Sequence, residues 1–502
     1  MMGLFCLHAE VINLAYLGLI LSPILILNII VAAWVVFTGR KTPGVTWAWL
    51  FVIIMLPYIG IILYMMLGFD GRKHSKFIAK RLRDVESYRE FFGLNQSGSD
   101  FINEQMDILK RSTLADNPVA IKLDEIVYLN MIAGRAAYTE GNDVQIFTEG
   151  GPKFDALVAD IMSARQSIFL QYFIVRNDSL AKRIVEALAS RASEGVQVCV
   201  LIDGLGCIFT RRSIFTPLIN AGGEVATFMP LRLGALNYRN HRKIAVIDGR
   251  IGYIGGFNIG NEYLGQSKRF GFWRDTHLRI RGDAVHQLTL SFIMDWNFAQ
   301  DKTHLALSDT LLPANNVQPG ISALQIVSSG PDTEWSSIQY TYMKMINSAN
   351  SQILIQSPYF IPDDSILESL RLAALSGVDV RIMIPKYPDH PFVYWAALSY
   401  LGDLLKAGVR CYEYEHGFLH TKVMVVDECI ASIGTANLDV RSFRLNFEIN
   451  TIIYDQSLAS ETAAQFHKDA KNCTEITKAW YDARPRSVRI REAVSRLVSP
   501  IL

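Results

Sequence analysis

Two long apolar runs open the chain, from Val11 to Phe37 and from Val45 to Leu67, and neither contains Asp, Glu, Lys or Arg. Each is long enough to cross a bilayer as a helix, which takes about 20 apolar residues. The start carries Glu10 and no Lys or Arg, and the second run follows at once. A cleaved leader has a basic start and a shorter apolar core. The pattern therefore predicts a transmembrane helical hairpin over residues 1–70 that stays in the bilayer. Arg40 and Lys41 lie between the runs, and Arg72, Lys73, Lys76, Lys80, Arg81 and Arg83 follow the second. The richer basic flank places the rest of the chain in the cytoplasm, although the basic loop pulls the other way. The same basic run either attracts anionic lipid headgroups or forms a solvated helix face. Residues 71–130 read as a basic juxtamembrane and helical connector, with a loop at Ser97–Asp100.

Beyond it the pattern of apolar and polar positions occurs twice. Ser163-Ala164 precedes an apolar run from Ile168 to Val175, and Ser348-Ala349 precedes one from Ile353 to Phe360. A helical stretch follows in each half. Gly195-Val196-Gln197-Val198 then leads into Leu201-Ile202-Asp203, as Gly377-Val378-Asp379-Val380 leads into Ile382-Met383-Ile384. Ala221-Gly222-Gly223 answers Ala407-Gly408-Val409, each opening a further strand. Short β-rich runs after helices are the mark of buried strands in an α/β unit. A repeat of about 180 residues is domain-sized and too long for a solenoid. The prediction is an α/β protein with two pseudo-repeated lobes, over 131–315 and 316–502, each a mixed sheet flanked by helices.

Composition adds two constraints. Half of the 502 residues are hydrophobic, as a chain partly in lipid requires. The formal net charge is +1, so no global bias points to nucleic acid. Cys6, Cys199, Cys207, Cys411, Cys429 and Cys473 are scattered and form no C-x-x-C pair, which argues against a disulfide framework or a thiolate zinc site.

The chemistry is carried by a constellation that closes each half. His241-Arg242-Lys243 is followed by Asp248, and His420-Thr421-Lys422 by Asp427 at the same spacing. Asn258 lies 17 residues after His241, and Asn437 lies 17 after His420. His and Lys two apart on a strand share a face. Asp248-Gly249 reads as a hairpin turn, and the strand Gly252–Gly256 returns Asn258 to the start. If the lobes pair with pseudo-twofold symmetry, two imidazoles, two ammoniums and two amides share one pocket. That set suits a phosphodiester. One neutral imidazole attacks phosphorus, the other donates to the departing alkoxide, and Lys243, Lys422, Asn258 and Asn437 hold the non-bridging oxygens. The two lysines supply the positive charge, so no metal or other cofactor is expected. Asp248 and Asp427 complete the catalytic motif, although near turns they are expected to support structure rather than chemistry. Asp275 and Glu448, which follow the two motifs at analogous places, are candidates to fix the imidazole tautomers. His277 and the other single histidines read as satisfied core or surface residues.

These residues resemble the phospholipase D superfamily, whose signature is two H-x-K-x4-D motifs with a following Gly/Ser-x-Asn element. Here that element reads Gly255-Gly256-Phe257-Asn258 and Gly434-Thr435-Ala436-Asn437. Gly256-Phe257-Asn258-Ile259-Gly260 with Tyr263, Trp273-Arg274-Asp275-Thr276, Pro358-Tyr359-Phe360-Ile361-Pro362, Asn437-Leu438-Asp439, Arg441-Ser442-Phe443 and Leu445-Asn446-Phe447-Glu448 are similar to the bacterial cardiolipin synthases. The likeness covers roughly residues 130 to 502, and the N-terminal hairpin is similar to that family's anchor. It implies phospholipase D-like lobes in a multi-pass protein of the bacterial inner membrane. It also implies the reaction: two phosphatidylglycerols give cardiolipin and glycerol through a phosphohistidine, with anionic membrane lipids as partners. By analogy His241 is the nucleophile and His420 the general acid, although the motifs themselves are symmetric.

A lipid-hydrolysing phospholipase D, a membrane-tethered nuclease and a non-enzymatic scaffold remain as rivals. A nuclease needs an extended basic groove with stacking aromatics, to which the near-neutral catalytic region gives little support, and neither motif has lost the histidine or lysine whose loss would mark a scaffold. At the end of the chain Arg484, Arg486, Arg489, Arg491 and Arg496 interleave with Ile490, Val494, Leu497 and Val498 at helical spacing. That predicts either an interfacial helix on anionic lipid or a helix packed on the protein with solvated arginines.

Overall fold

The computed structural model describes residues 26–34, 43–68, 75–91, 107, 118–230, 237–300, 303–313 and 319–499, apart from positions 28 and 57. The chain divides into two compact units. One comprises residues 71–231 and 238–496, the other residues 1–70, 232–237 and 497–502.

In the smaller unit the second apolar run is two helices, Pro43–Met55 and Ile59–Leu67, rather than the single span expected from its length. The sequence has a proline between them, and proline lacks the N–H and crowds the preceding turn. Trp49, Ile53, Ile61 and Tyr64 form a small core. Trp47, Phe51, Ile54, Ile59 and Ile62 face outward, each more than half exposed. Among the described residues no helix is long and apolar enough to cross a membrane. The first run is described only over 26–34, and Arg40, Lys41, Arg72, Lys73, the Ser97–Asp100 loop and Cys6 lie outside the described residues.

The larger unit is built from the repeat. Its first lobe holds β1 (Thr139–Phe147), β2 (Ser167–Tyr172), β3 (Gln197–Asp203), β4 (Glu224–Phe228), β5 (Ile244–Ile247), β6 (Ile251–Gly255), β7 (Trp273–Arg274) and β8 (His277–Arg281). The second holds β9 (Ser322–Ser329), β10 (Gln352–Gln356), β11 (Phe360–Ile361), β12 (Asp379–Pro385), β13 (Arg410–Tyr414), β14 (Phe418–Leu419), β15 (Val423–Val426), β16 (Ile430–Gly434), β17 (Leu438–Asp439), β18 (Glu448–Ile453) and β19 (Cys473–Ile476). The strand order β1-β8-β6-β5-β2-β3-β4 is repeated as β9-β18-β16-β15-β10-β12-β13, with β19 added at that edge. β1 and β9 pair antiparallel and fuse the two halves into one 15-stranded sheet.

All six side chains of β2 are buried, which is why it reads as a continuous apolar run. Helices Gly150–Ser163 and Ser179–Ser193 cover the first sheet. Asp178 caps the latter by accepting from the Ala181 amide. Helices Ala284–Ala299 and Gln456–Ala470 pack on one core shared by both lobes, which includes Phe169, Phe292, Leu354, Ile433 and Phe447. Cys199, Cys207, Cys411, Cys429 and Cys473 are free thiols. The C-terminal helix Arg486–Val498 docks through ion pairs, Arg484 with Glu492 and Arg496 with Asp403, while Ile490 and Val494 stay exposed.

In the basic run after the hairpin Lys76 and Arg83 are exposed, as on a solvated face, whereas Lys80 departs from both readings. Helix Ser75–Phe91 inserts Phe77 against Tyr238 and Phe447 of the shared core. Lys80 is 1% exposed and lies 2.6, 2.7 and 3.3 Å from carboxylates of Asp84, Asp332 and Asp295. Arg81 donates to the Asp332 carbonyl. Buried carboxylates, rather than lipid or water, take the Lys80 ammonium, and backbone carbonyls take the Arg81 guanidinium. Removing one partner of a buried pair costs about 3–5 kcal/mol. Lys80→Met is therefore expected to lower the melting temperature of the detergent-solubilised protein well below that of Arg83→Met, on the exposed face of the same helix. Equal melting temperatures would contradict a buried network.

Candidate active site

Each motif lies on the approach to a strand, not within it: β5 begins one residue after Lys243, and β15 one residue after Lys422. The alternation still sorts the side chains. Asn240 and Arg242 both donate to Asp295 on helix Ala284–Ala299, at 2.9 and 2.8 Å, and Gln171 of β2 joins them at 2.7 Å. His241 and Lys243 are thereby left on the other face. In the second lobe Thr421 turns away from the site to meet Thr276 at 2.7 Å.

Asp248 and Asp427 are not among the groups that converge. Each stands at the β-hairpin turn with left-handed backbone, φ 52° and 51°, a conformation that Asp tolerates better than most residues. Asp248 accepts from the amides of Arg165, Gln166 and Ser167 at 2.7–2.9 Å. Asp427 does the same for Asn350, Ser351 and Gln352 at 2.8–2.9 Å. They tie the turn to the start of the neighbouring strand, and the four-residue gap in the motif is the length of the intervening strand.

The carboxylates cross between lobes. β7 pairs with β14, and the His420 amide donates to the Arg274 carbonyl at 2.7 Å. Symmetrically, the His241 amide donates to the Phe447 carbonyl at 2.9 Å, and the Phe447 amide to the Arg239 carbonyl at 2.8 Å. The residue after each acceptor, Asp275 or Glu448, thus lands on the histidine of the other lobe. His420 Nδ1 is 2.6 Å from Asp275, and His241 Nδ1 is 3.0 Å from both oxygens of Glu448. Glu448 also accepts from Thr435 Oγ1 at 2.6 Å and Asn446 Nδ2 at 3.1 Å, and Asp275 from the Thr276 amide at 2.8 Å.

Electrostatics assigns the protons. Burial pushes His241 down to about 4, against the pull of Glu448 and with help from Lys243 and Lys422. Burial and Lys422 likewise lower His420. Burial pushes the carboxylates up, yet His420 with Lys422, and His241 with Lys243, outweigh it and hold Asp275 and Glu448 below their ordinary values. Each pair is therefore a neutral imidazole donating Nδ1–H to a carboxylate, with the Nε2 lone pair free. Burial also lowers Lys243 to about 7 and Lys422 to about 8, against the pull of Glu448 and Asp275. Lys422 acts on His241 and Lys243 on His420, so the four groups share one site. Asn258 accepts from the Ile174 amide and donates to Tyr263, both at 3.1 Å. Asn437 is buried, and its Oδ1 has no partner. Phe173 packs edge-on against His241, and Trp273 and Phe418 pack against His420.

Several contributors were not legible. Asp295, Gln171, Thr435 and Asn446 sit outside the motif, and only the alternation at Asn240 and Arg242 hinted at a partner behind it. His277 is not a satisfied core histidine: it is fully buried with neither ring nitrogen hydrogen-bonded, and burial, Lys153 and Lys243 hold it neutral.

Two neutral imidazoles and two lysines can bind an oxyanion and attack it. Tungstate, a dianionic phosphate mimic across neutral pH, is expected to bind more weakly as pH rises through about 7 to 8, where Lys243 and Lys422 lose their protons. Lys243→Arg should move that loss to higher pH, because guanidinium stays charged. Affinity that does not change between about pH 6 and 9 would contradict these lysines as the anion-binding charges.

The family described as "Cardiolipin synthase, PLD-like domain" matches residues 157–296 and 342–470, and the "Phospholipase_D-nuclease N-terminal" family matches 26–68. The major cardiolipin synthase ClsA of Bacillus subtilis is 46% identical over 97% of this chain and 99% of its own. A cardiolipin synthase of Oceanobacillus iheyensis is 44% identical over 97% of this chain and 99% of its own. The crystal structure of a Haemophilus influenzae phosphatidylserine synthase matches 75% of this chain and all of its own, with a TM-score of 0.58 at 16% identity, a likeness of fold. The chain belongs to the phospholipase D-like cardiolipin synthase family.

Proposed function

We propose that this protein joins two phosphatidylglycerols into cardiolipin and glycerol through a phosphatidyl-histidine. The observation that carries this is the exchanged pair of Nδ1–carboxylate bonds, which presents two Nε2 atoms to one site. His241 Nε2 attacks the donor phosphorus, and the P–O bond to glycerol breaks as His420 delivers a proton to the leaving oxygen. His420 then takes the proton from the hydroxyl of a second phosphatidylglycerol. That oxygen attacks phosphorus, and the P–N bond breaks. The bound phosphodiester anion favours the imidazolium that His420 needs, since an opposite charge raises an imidazole pKa. His241, held at about 4, stays the neutral nucleophile. Lys243, Lys422, Asn258 and Asn437 hold the non-bridging oxygens, and Asp248 and Asp427 support the hairpins. One phosphodiester replaces another, so the energy of the bond is retained and no nucleotide is consumed. The names of the relatives support this choice of lipid.

The setting we propose is a bacterial inner membrane, with residues 1–70 embedded and the catalytic lobes on the cytoplasmic side. The outward Trp47, Phe51, Ile54 and Ile62 support it, because apolar side chains in such number favour lipid over water. The exposed Ile490 and Val494 with Arg486 offer a further contact with anionic headgroups.

Detergent-purified protein given phosphatidylglycerol alone, with a chelator present, should release cardiolipin and glycerol in equal amounts. His420→Asn should slow turnover by about a hundred- to ten-thousand-fold. Phosphatidic acid as the sole product would show that water, rather than a second lipid, takes the phosphatidyl group.

A further inference from the structure

The strands that carry the site also fix which loops surround it. β3 runs parallel to β2, and β12 to β10. Gln171 of β2 stands opposite Ile244, one residue past Lys243, and Gln356 of β10 stands opposite Val423, one residue past Lys422. The loops that leave these four strands therefore emerge at the end of the sheet that holds both motifs. Each lobe ties them to the site in the same way. After β2, Val175 bridges Ile259, the neighbour of Asn258. After β10, Phe360 pairs with Leu438, the neighbour of Asn437. The loop after β3 hangs on the first of these segments, since Asn177 donates to the Phe209 carbonyl at 2.8 Å. The loop after β12 hangs on the second, since the Tyr359 hydroxyl donates to the Asp389 carboxylate. Arg269 of the first lobe donates to the Asp389 carbonyl at 3.2 Å. The residue after it, Phe270, packs on Phe418 beside His420.

Both loops turn large apolar side chains outward. Phe209 is 83% exposed, and Phe392, in the first turn of helix Pro391–Leu405, is 60% exposed. Ile208 and Tyr387 in the same two loops are exposed as well. The lobes differ in sequence here, yet each exposes aromatic surface at the same place in the repeat. Grouped apolar surface of this kind marks a contact with protein or membrane. The rim is also basic. Arg211, Arg212, Lys268 and Arg269 are exposed, and residues 204–215 and 263–272 contain no Asp or Glu. Aromatic rings with basic neighbours fit the headgroup layer of an anionic bilayer. A lipid surface is favoured over a protein because the site itself is buried. His241 and His420 are 8% and 7% exposed, so a substrate that is a bilayer lipid reaches them when the surrounding loops meet the bilayer.

We infer that the loops after β3 and β12 form a docking rim on the anionic headgroup layer, with Phe209 and Phe392 inserted, through which lipid passes from the bilayer into the site. The inference rests on the phosphatidyl-transfer reading and deepens it. Attachment through residues 1–70 keeps the lobes near the bilayer, whereas the rim aims the site at it.

The test uses full-length protein reconstituted in phosphatidylcholine vesicles. Glycerol released from long-chain phosphatidylglycerol in the same bilayer reports transfer through the rim. Glycerol released from short-chain phosphatidylglycerol, dissolved as monomers in the water, reports the chemistry alone. Phe209→Ser combined with Phe392→Ser is expected to lower the ratio of bilayer to monomer turnover by about tenfold or more, and Phe209→Leu with Phe392→Leu to recover most of it. Leu372 and Leu375 are exposed too, but they precede β12 and so lie at the opposite end of the sheet. Leu372→Ser with Leu375→Ser should leave the ratio at its wild-type value. Equal loss with both substrates, an unaltered ratio in the double Phe→Ser variant, or the same fall in the double Leu→Ser variant would overturn the docking rim and leave the transferase standing. Wild-type protein that releases glycerol from neither lipid would overturn the transferase and the rim with it.

Discussion

The site depends on an exchange. Each motif imidazole takes its tautomer from a carboxylate of the opposite lobe, His241 from Glu448 and His420 from Asp275. Neither lobe holds a finished histidine by itself. The exchange is anchored by backbone, since the strand before each carboxylate pairs with the segment before the other histidine. A displacement of one lobe would break a backbone bond and a Nδ1–carboxylate bond together. The continuous sheet through β1 and β9 and the core shared by both lobes therefore serve the chemistry as much as the stability.

Charge balance follows from the same arrangement. Two lysines face two carboxylates, and both imidazoles are held neutral by burial. A bound phosphodiester adds one negative charge. The proton that restores neutrality is the one a general acid must carry, so substrate binding itself would load His420. Fully buried carboxylates make this work, because in a low-dielectric site each neighbouring charge counts for more than it would in water.

Much of this was legible in the sequence. The doubled spacing of His241, Lys243 and Asn258 with His420, Lys422 and Asn437 gave the lobes and the site, and the turns at Asp248 and Asp427 gave those aspartates their structural place. Glu448 and Asp275 were found by position, but not the lobe each serves. Spacing along the chain cannot show a pairing made across a pseudo-twofold axis. Lys80 was misplaced for a related reason. Its basic neighbours suggest lipid or solvent, whereas Asp295 and Asp332, more than 200 residues away, draw it into the core. The second apolar run was long enough for one helix, yet it forms two, since length and hydropathy take no account of the proline within it.

The most direct test of the exchange is a rapid acid-free quench of the enzyme with phosphatidylglycerol labelled at phosphorus, followed by peptide mapping. The account predicts label on the peptide that carries His241, and much less of it in Glu448→Gln, although that residue belongs to the other lobe. Label on the peptide that carries His420, or label at His241 that Glu448→Gln leaves undiminished, would contradict it.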